Sequence, residues 1–62
     1  MNINIGDRVL TTQGDIGIII GKDNRLSFDK NNRITNRWIV ELTLNENKVR
    51  VPFFEYELVA IL

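Results

Sequence analysis

Four groups of residues in this 62-residue chain have types and spacing that invite chemistry: two carboxylates at Glu55 and Glu57, a lone serine at Ser27, a spaced run of glycines, and five cations between positions 22 and 37. Paired carboxylates can share acid and base roles. They need a cleft, however, and a small β domain whose interior is filled by its own side chains offers none. Surface charge plus a turn cap is the simpler use of Glu55 and Glu57. Ser27 lies in a polar stretch, and the chain has neither histidine nor cysteine. Both Ser-His and Cys-His nucleophile arrangements are therefore impossible. The run Gly14-x-x-Gly17-x-x-x-Gly21-Lys22 lacks the Ser/Thr that ends a phosphate-binding loop, and no helix pattern follows it. Asp23-Asn24 and Asp29-x-Asn31 lack the central glycine and terminal glutamate of a calcium loop. These readings point away from an enzyme, and no catalytic residue, cofactor, metal or small-molecule substrate is expected.

The cations carry the strongest functional signal. Lys22, Arg25, Lys30, Arg33 and Arg37 cluster in one segment in which Asp23 and Asp29 are the only acids, with Phe28 and Trp38 nearby. Basic loops with interleaved aromatics grip phosphate backbones and stack bases. The same surface suits an acidic protein partner, and a merely solvated loop is the plainest use of such charges. Trp38 shares a strand face with Val40 and Leu42, which assigns it to the core. Phe54 and Tyr56 form a second patch. Phe53 takes the inward position, leaving these two rings to anchor a partner or to close one end of the fold.

Eight Lys plus Arg balance eight Asp plus Glu across the whole chain. Zero net charge gives no general pull toward nucleic acid or an anionic membrane. Protein is therefore the expected partner and nucleic acid the alternative. The expected contact residues are Arg25, Phe28, Lys30, Arg33 and Arg37, with Phe54 and Tyr56 as a second patch. A third use is as a structural accessory subunit of a larger complex.

The elements that must position these residues are strands. Residues 37 to 44 alternate, with Trp38, Val40, Leu42 and Leu44 on one face. Val49, Val51 and Phe53 do the same in 48 to 54, and Asn45-Glu46-Asn47 reads as the polar turn of a hairpin. Val9 and Leu10 centre an earlier strand after a Gly6-Asp7 turn. Gln13-Gly14-Asp15 is a further turn, followed by the β-branched run from Ile16 to Gly21. Gly17 reads as a bend or bulge in that run, and Ile18-Ile19-Ile20 suits a strand that is covered on both faces or sharply bent. Residues 23 to 36 form the longest polar stretch, a loop or a frayed hairpin arm in which Leu26, Phe28 and Ile34 alternate. Glu55-Tyr56-Glu57 predicts one turn of 3₁₀ helix, tied by the Glu57 carboxylate, before an apolar strand from Leu58 to Leu62. Phe53, Leu58 and Ile61 are expected to plug the interior.

The order Gly6-Asp7-x-Val9, Gly14-x-x-Gly17-x-Ile19, Trp38-x-Val40 and Phe53-x-x-x-Glu57-Leu58-x-x-Ile61 resembles the SH3-like small barrels. Its first part is similar to KOW-type modules. Its ending, Phe53-Phe54-Glu55-Tyr56-Glu57-Leu58, looks like the small E-type accessory barrel of photosystem I and related proteins. Those include thioredoxin-reductase and nitrile-hydratase barrel subunits and phage-encoded barrels. The resemblance spans roughly Ile5 to Ile61 and implies an all-β, five-stranded SH3-like barrel with a short 3₁₀ turn before the last strand. It implies no one function, because this superfold hosts many. KOW modules and the photosystem barrel are also more basic than this chain, so neither role is carried over.

Length permits one domain, 1–62. A chain this short buries only about 60% of its unfolded surface, and without cysteine or histidine it must rely on apolar packing and a closed ladder. Residues 1 to 8 have no apolar run of the signal-peptide kind, and no segment approaches the roughly 20 apolar residues of a membrane helix. A cytoplasmic protein is expected. Abundant isoleucine and asparagine with a single alanine, Ala60, suggest an AT-rich bacterial or phage genome.

Overall fold

A computed structural model describes residues 3 to 61, except for the side chain of residue 26. The proposed strand end at Leu62, the character of Met1 and Asn2, and the side-chain alternation at Leu26 lie outside what it describes. The chain is all-β. Its elements are β1 (Arg8–Thr11), β2 (Ile16–Phe28), β3 (Ile34–Leu44), β4 (Asn47–Phe54), a 3₁₀ turn η1 (Glu55–Glu57) and β5 (Leu58–Ile61). The strands pair antiparallel in one sheet with the order β4-β3-β2-β1-β5.

Each connection follows from local chemistry. Thr11 ends β1 with its side chain buried, and its Oγ1 accepts the backbone N–H of Gln13 and Asp15 at 3.2 and 3.3 Å. Gly14 then turns the chain at φ +86. The β3–β4 hairpin is tighter than the expected three-residue connection. Leu44 pairs with Asn47, leaving Asn45 and Glu46 as a two-residue loop at φ +50 and +69. Two successive left-handed residues match the right-handed twist of the flanking strands, a position that suits Asn well and Glu poorly.

The core joins all the strands: Val9 from β1, Ile19 from β2, Trp38, Val40 and Leu42 from β3, Phe53 from β4 and Leu58 from β5. A flat single sheet cannot bury these side chains, so the sheet must curl to bring β4 and β5 over one interior. Ile3, from the segment read as polar, joins that core as well. Ile61 stays only half-buried, so the expected plug is Phe53 and Leu58.

Three expectations change. The ladder is not closed: among the described residues no pairing joins β4 to β5, and these strands stand at the edges. Exposed Lys48, Arg50 and Pro52 guard the β4 edge, and β5 is kept to four residues, which are other ways to discourage strand addition. Gly17 is not a bulge. It pairs in register with Leu42, and a Cβ there would lie 2.6 Å from both Leu42 Cδ2 and Val40 Cγ1. The Val40 and Leu42 side chains of β3 pack over it and leave no room for a side chain. The bulge falls later, where the register slips between Ile19 and Gly21. That slip resolves the isoleucine run: Ile19 points inward, Ile18 points outward, and the strand bends rather than being covered on both faces.

Candidate functional site

The expected loop at 23 to 36 is largely strand. β2 and β3 run past the core as a paired arm, with Asp23 opposite Arg37, Ser27 opposite Thr35 and Phe28 opposite Ile34. Only residues 29 to 33 turn. Asp29 builds that turn: its Oδ1 accepts the N–H of Asn31 and Arg33 at 2.9 and 3.0 Å, while its own N–H donates to the Arg33 carbonyl. Asn32 takes the left-handed position at φ +64, one of the residues that tolerates it. The body and arm together measure 36 × 22 × 19 Å.

A second register slip, between Asp23 and Ser27, loops extra β2 residues out of the ladder. Arg25 is among the residues it displaces, and Asp23 Oδ1 accepts the Arg25 N–H at 3.0 Å. The same carboxylate receives the Arg25 guanidinium at 2.8 Å and, across the ladder, the Arg37 guanidinium at 2.6 Å. The Asp23 side chain is only 8% exposed. The Arg25 N–H, followed by its guanidinium, holds the carboxyl below its ordinary 3.8, against the opposing effect of burial. Arg25 and Arg37 are thus structural partners of Asp23, and the Arg25 side chain, 73% exposed, still lies at the surface.

Lys22 is also engaged. It stands opposite Trp38 in the ladder, with its ammonium 5.7 Å from the centre of the indole ring. Trp38 is buried as expected, and its Nε1–H donates to Glu55 Oε1 at 3.1 Å. Glu55 also accepts from Asn36 Nδ2 at 3.4 Å, tying η1 to the base of the arm. Glu57 Oε1 accepts the Phe54 N–H at 2.9 Å and so ties the 3₁₀ turn. Both carboxylates of the acid–base pair are therefore spent on holding η1 in place.

What remains at the surface is specific. Among the described residues, Lys30 and Arg33 at the arm's tip make no ion pair. Phe28 and Ile34 face each other across the arm at 45% and 72% exposed. Phe54 and Tyr56 stack nearly parallel, 5.5 Å between ring centres, and Tyr56 is 58% exposed. The fold brings this second patch against the first: Tyr56, Asp29, Lys30 and Asn31 line one hollow of about 180 Å³. A further hollow of about 220 Å³ opens along the arm between Lys22, Arg25, Ser27, Ile34 and Asn36. The exposure of Ile34 was not anticipated from the sequence. Its signal was available, an isoleucine in a stretch too polar to bury it.

Among the described residues no group of three or more acidic residues is placed to hold a metal, and no helix is long and apolar enough to cross a membrane. Compared with models of known protein families, with curated proteins and with solved structures, the chain matches none.

Proposed function

We propose that the chain is a non-enzymatic protein-interaction module, built on a small SH3-like barrel left open between β4 and β5, which contacts its partner through the arm and η1. The observation that carries this reading is the Phe28–Ile34 pair. Two large apolar side chains sit in register on an arm beyond the core, where their exposure contributes nothing to folding. Tyr56, held beside the arm's turn by the Glu55 and Glu57 contacts, supplies an aromatic anchor of the kind that dominates protein interfaces. The meander order, the placement of β1 between β2 and β5, and the 3₁₀ turn ahead of β5 support the barrel reading.

A nucleic-acid-binding barrel is the second reading. It is favoured by the arm's charge, five cations against two carboxylates between residues 22 and 37. Affinity capture with tagged protein, with and without nuclease, separates the two. Protein captured by the wild type in both arms, and lost with the Phe28→Ser/Ile34→Ser variant, is the expected result. Capture that ignores that double substitution would remove the arm from the interface. Capture that disappears with nuclease would put the second reading first.

A further inference from the structure

We infer that the tip of the arm and Tyr56 form one recognition surface for an extended acidic peptide carrying apolar side chains; this deepens the interaction-module reading and rests on it. The charge distribution is the starting point. Residues 22 to 37 carry a net +3, and the rest of the chain a compensating −3, so the neutral total hides a polarised molecule. Within the arm the cations are not equivalent. Arg25 and Arg37 share the single Asp23 carboxylate, which leaves one positive charge on that cluster, and Lys22 is placed over Trp38 with its charge intact. At the tip, Lys30 and Arg33 make no ion pair among the described residues and outnumber the one acid of the turn, Asp29, which leaves a net positive charge beside Tyr56.

Apolar surface lies beside that charge. Lys30 shares its hollow with the Tyr56 ring, and Phe28 and Ile34 begin where the turn ends. A side chain entering the hollow would meet an aromatic ring and the aliphatic stem of Lys30, with the ammonium at hand for a neighbouring carboxylate. An extended peptide alternating acidic and apolar residues supplies both groups in one pass.

A phosphate backbone fits less well. The arm's net charge is only +3, so few counterions would be displaced, each contributing only about 0.7 to the salt slope on a single strand. The most exposed apolar group of the arm is Ile34, whose side chain cannot stack on a base.

The test is fluorescence anisotropy on the full chain with short labelled peptides that alternate Glu with Leu, Gln with Leu, or Lys with Leu, and with a labelled oligothymidylate of similar length. The Glu peptide should bind tightest, with the Gln peptide weaker by about tenfold. Lys30→Glu together with Arg33→Glu should erase that preference and transfer binding to the Lys peptide. Transfer would show that the variant is folded and that charge sets the choice. Tyr56→Ala should weaken the Glu and Gln peptides alike. Equal binding of Glu and Gln peptides, still sensitive to Tyr56→Ala, would overturn the acidic specificity and leave the interaction module standing. Tighter binding of the oligonucleotide, or no binding of any peptide, would overturn the peptide surface itself.

Discussion

The same two strands, β2 and β3, build two regions held by different physics. Near the Gly17–Leu42 pairing they carry Ile19, Val40 and Leu42, all buried, and the Val40 and Leu42 side chains with the Glu41 carbonyl leave no room for a Cβ at position 17. Beyond Trp38 the strands leave the core. Phe28 and Ile34 lie at the surface, and order comes from the ladder, the Asp23 clamp and the Asp29 turn. In the body, apolar burial is non-directional and needs shape; in the arm, hydrogen bonds and ion pairs are directional and need few residues. A region stabilised in the second way can leave its apolar groups exposed, and the candidate interface lies there.

The contrast can be broken first from the body. Phe53→Ala removes a buried ring from β4 and should destabilise the chain by about 3–5 kcal/mol, a large share of a small domain's stability. Urea unfolding followed by Trp38 fluorescence measures it. A loss under about 1 kcal/mol would mean that β4 contributes little to the core. Gly17→Ala should cost about 1–3 kcal/mol, because Val40, Leu42 and the Glu41 carbonyl must all give way to one methyl group. The same melt reads this substitution, and an unchanged midpoint would show that the β2–β3 approach has slack.

The arm should fail separately. Asp23→Asn removes the charge that both arginines share, so amide exchange should quicken at residues 24 to 28 and 34 to 37 while Ile19 and Val40 keep their protection. Equal acceleration in both regions would mean that body and arm are one cooperative unit. Acid gives a parallel test. Asp23 has a native pKa below its ordinary 3.8, so its contribution is complete above about pH 4 and is lost as pH falls through that lowered value. Arm protection should therefore decline on acidification in the wild type but not in Asp23→Asn. The smallest effect is expected at the β3–β4 turn, where Glu46→Gly relieves a left-handed glutamate and should stabilise the chain by roughly 0.5–1 kcal/mol. A drop in midpoint would show that the Glu46 side chain does something the turn geometry does not require.

Much of the body was legible in the sequence, because period-two alternation is a local property. Trp38, Val40 and Leu42 face inward as the pattern implies, Phe53 and Leu58 meet in the core, and Glu57 ties the 3₁₀ turn. Gly14 and Asn45 occupy turn positions that their conformational freedom suits. The arm was less legible. A stretch dense in Asp, Asn, Lys and Arg reads as loop because propensity scales record the usual cost of such residues in strands, and here the Asp23 and Asp29 contacts offset it.

The sequence by itself determined the class of structure and the limits on chemistry: strands from alternation, turns from glycine and asparagine, and no thiol or imidazole nucleophile. Only the tertiary structure decided which cations are spent and which are left. Arg25, Lys30, Arg33 and Arg37 all read simply as cations in a basic segment. Their availability depends on the register that sets Asp23 opposite Arg37, on the slip that turns Arg25 back onto the same carboxylate, and on the turn that carries Lys30 to Tyr56. Alternation and turn geometry set the regular register, but the slip between Asp23 and Ser27 that brings both arginines to one carboxylate arises only when β2 and β3 pair.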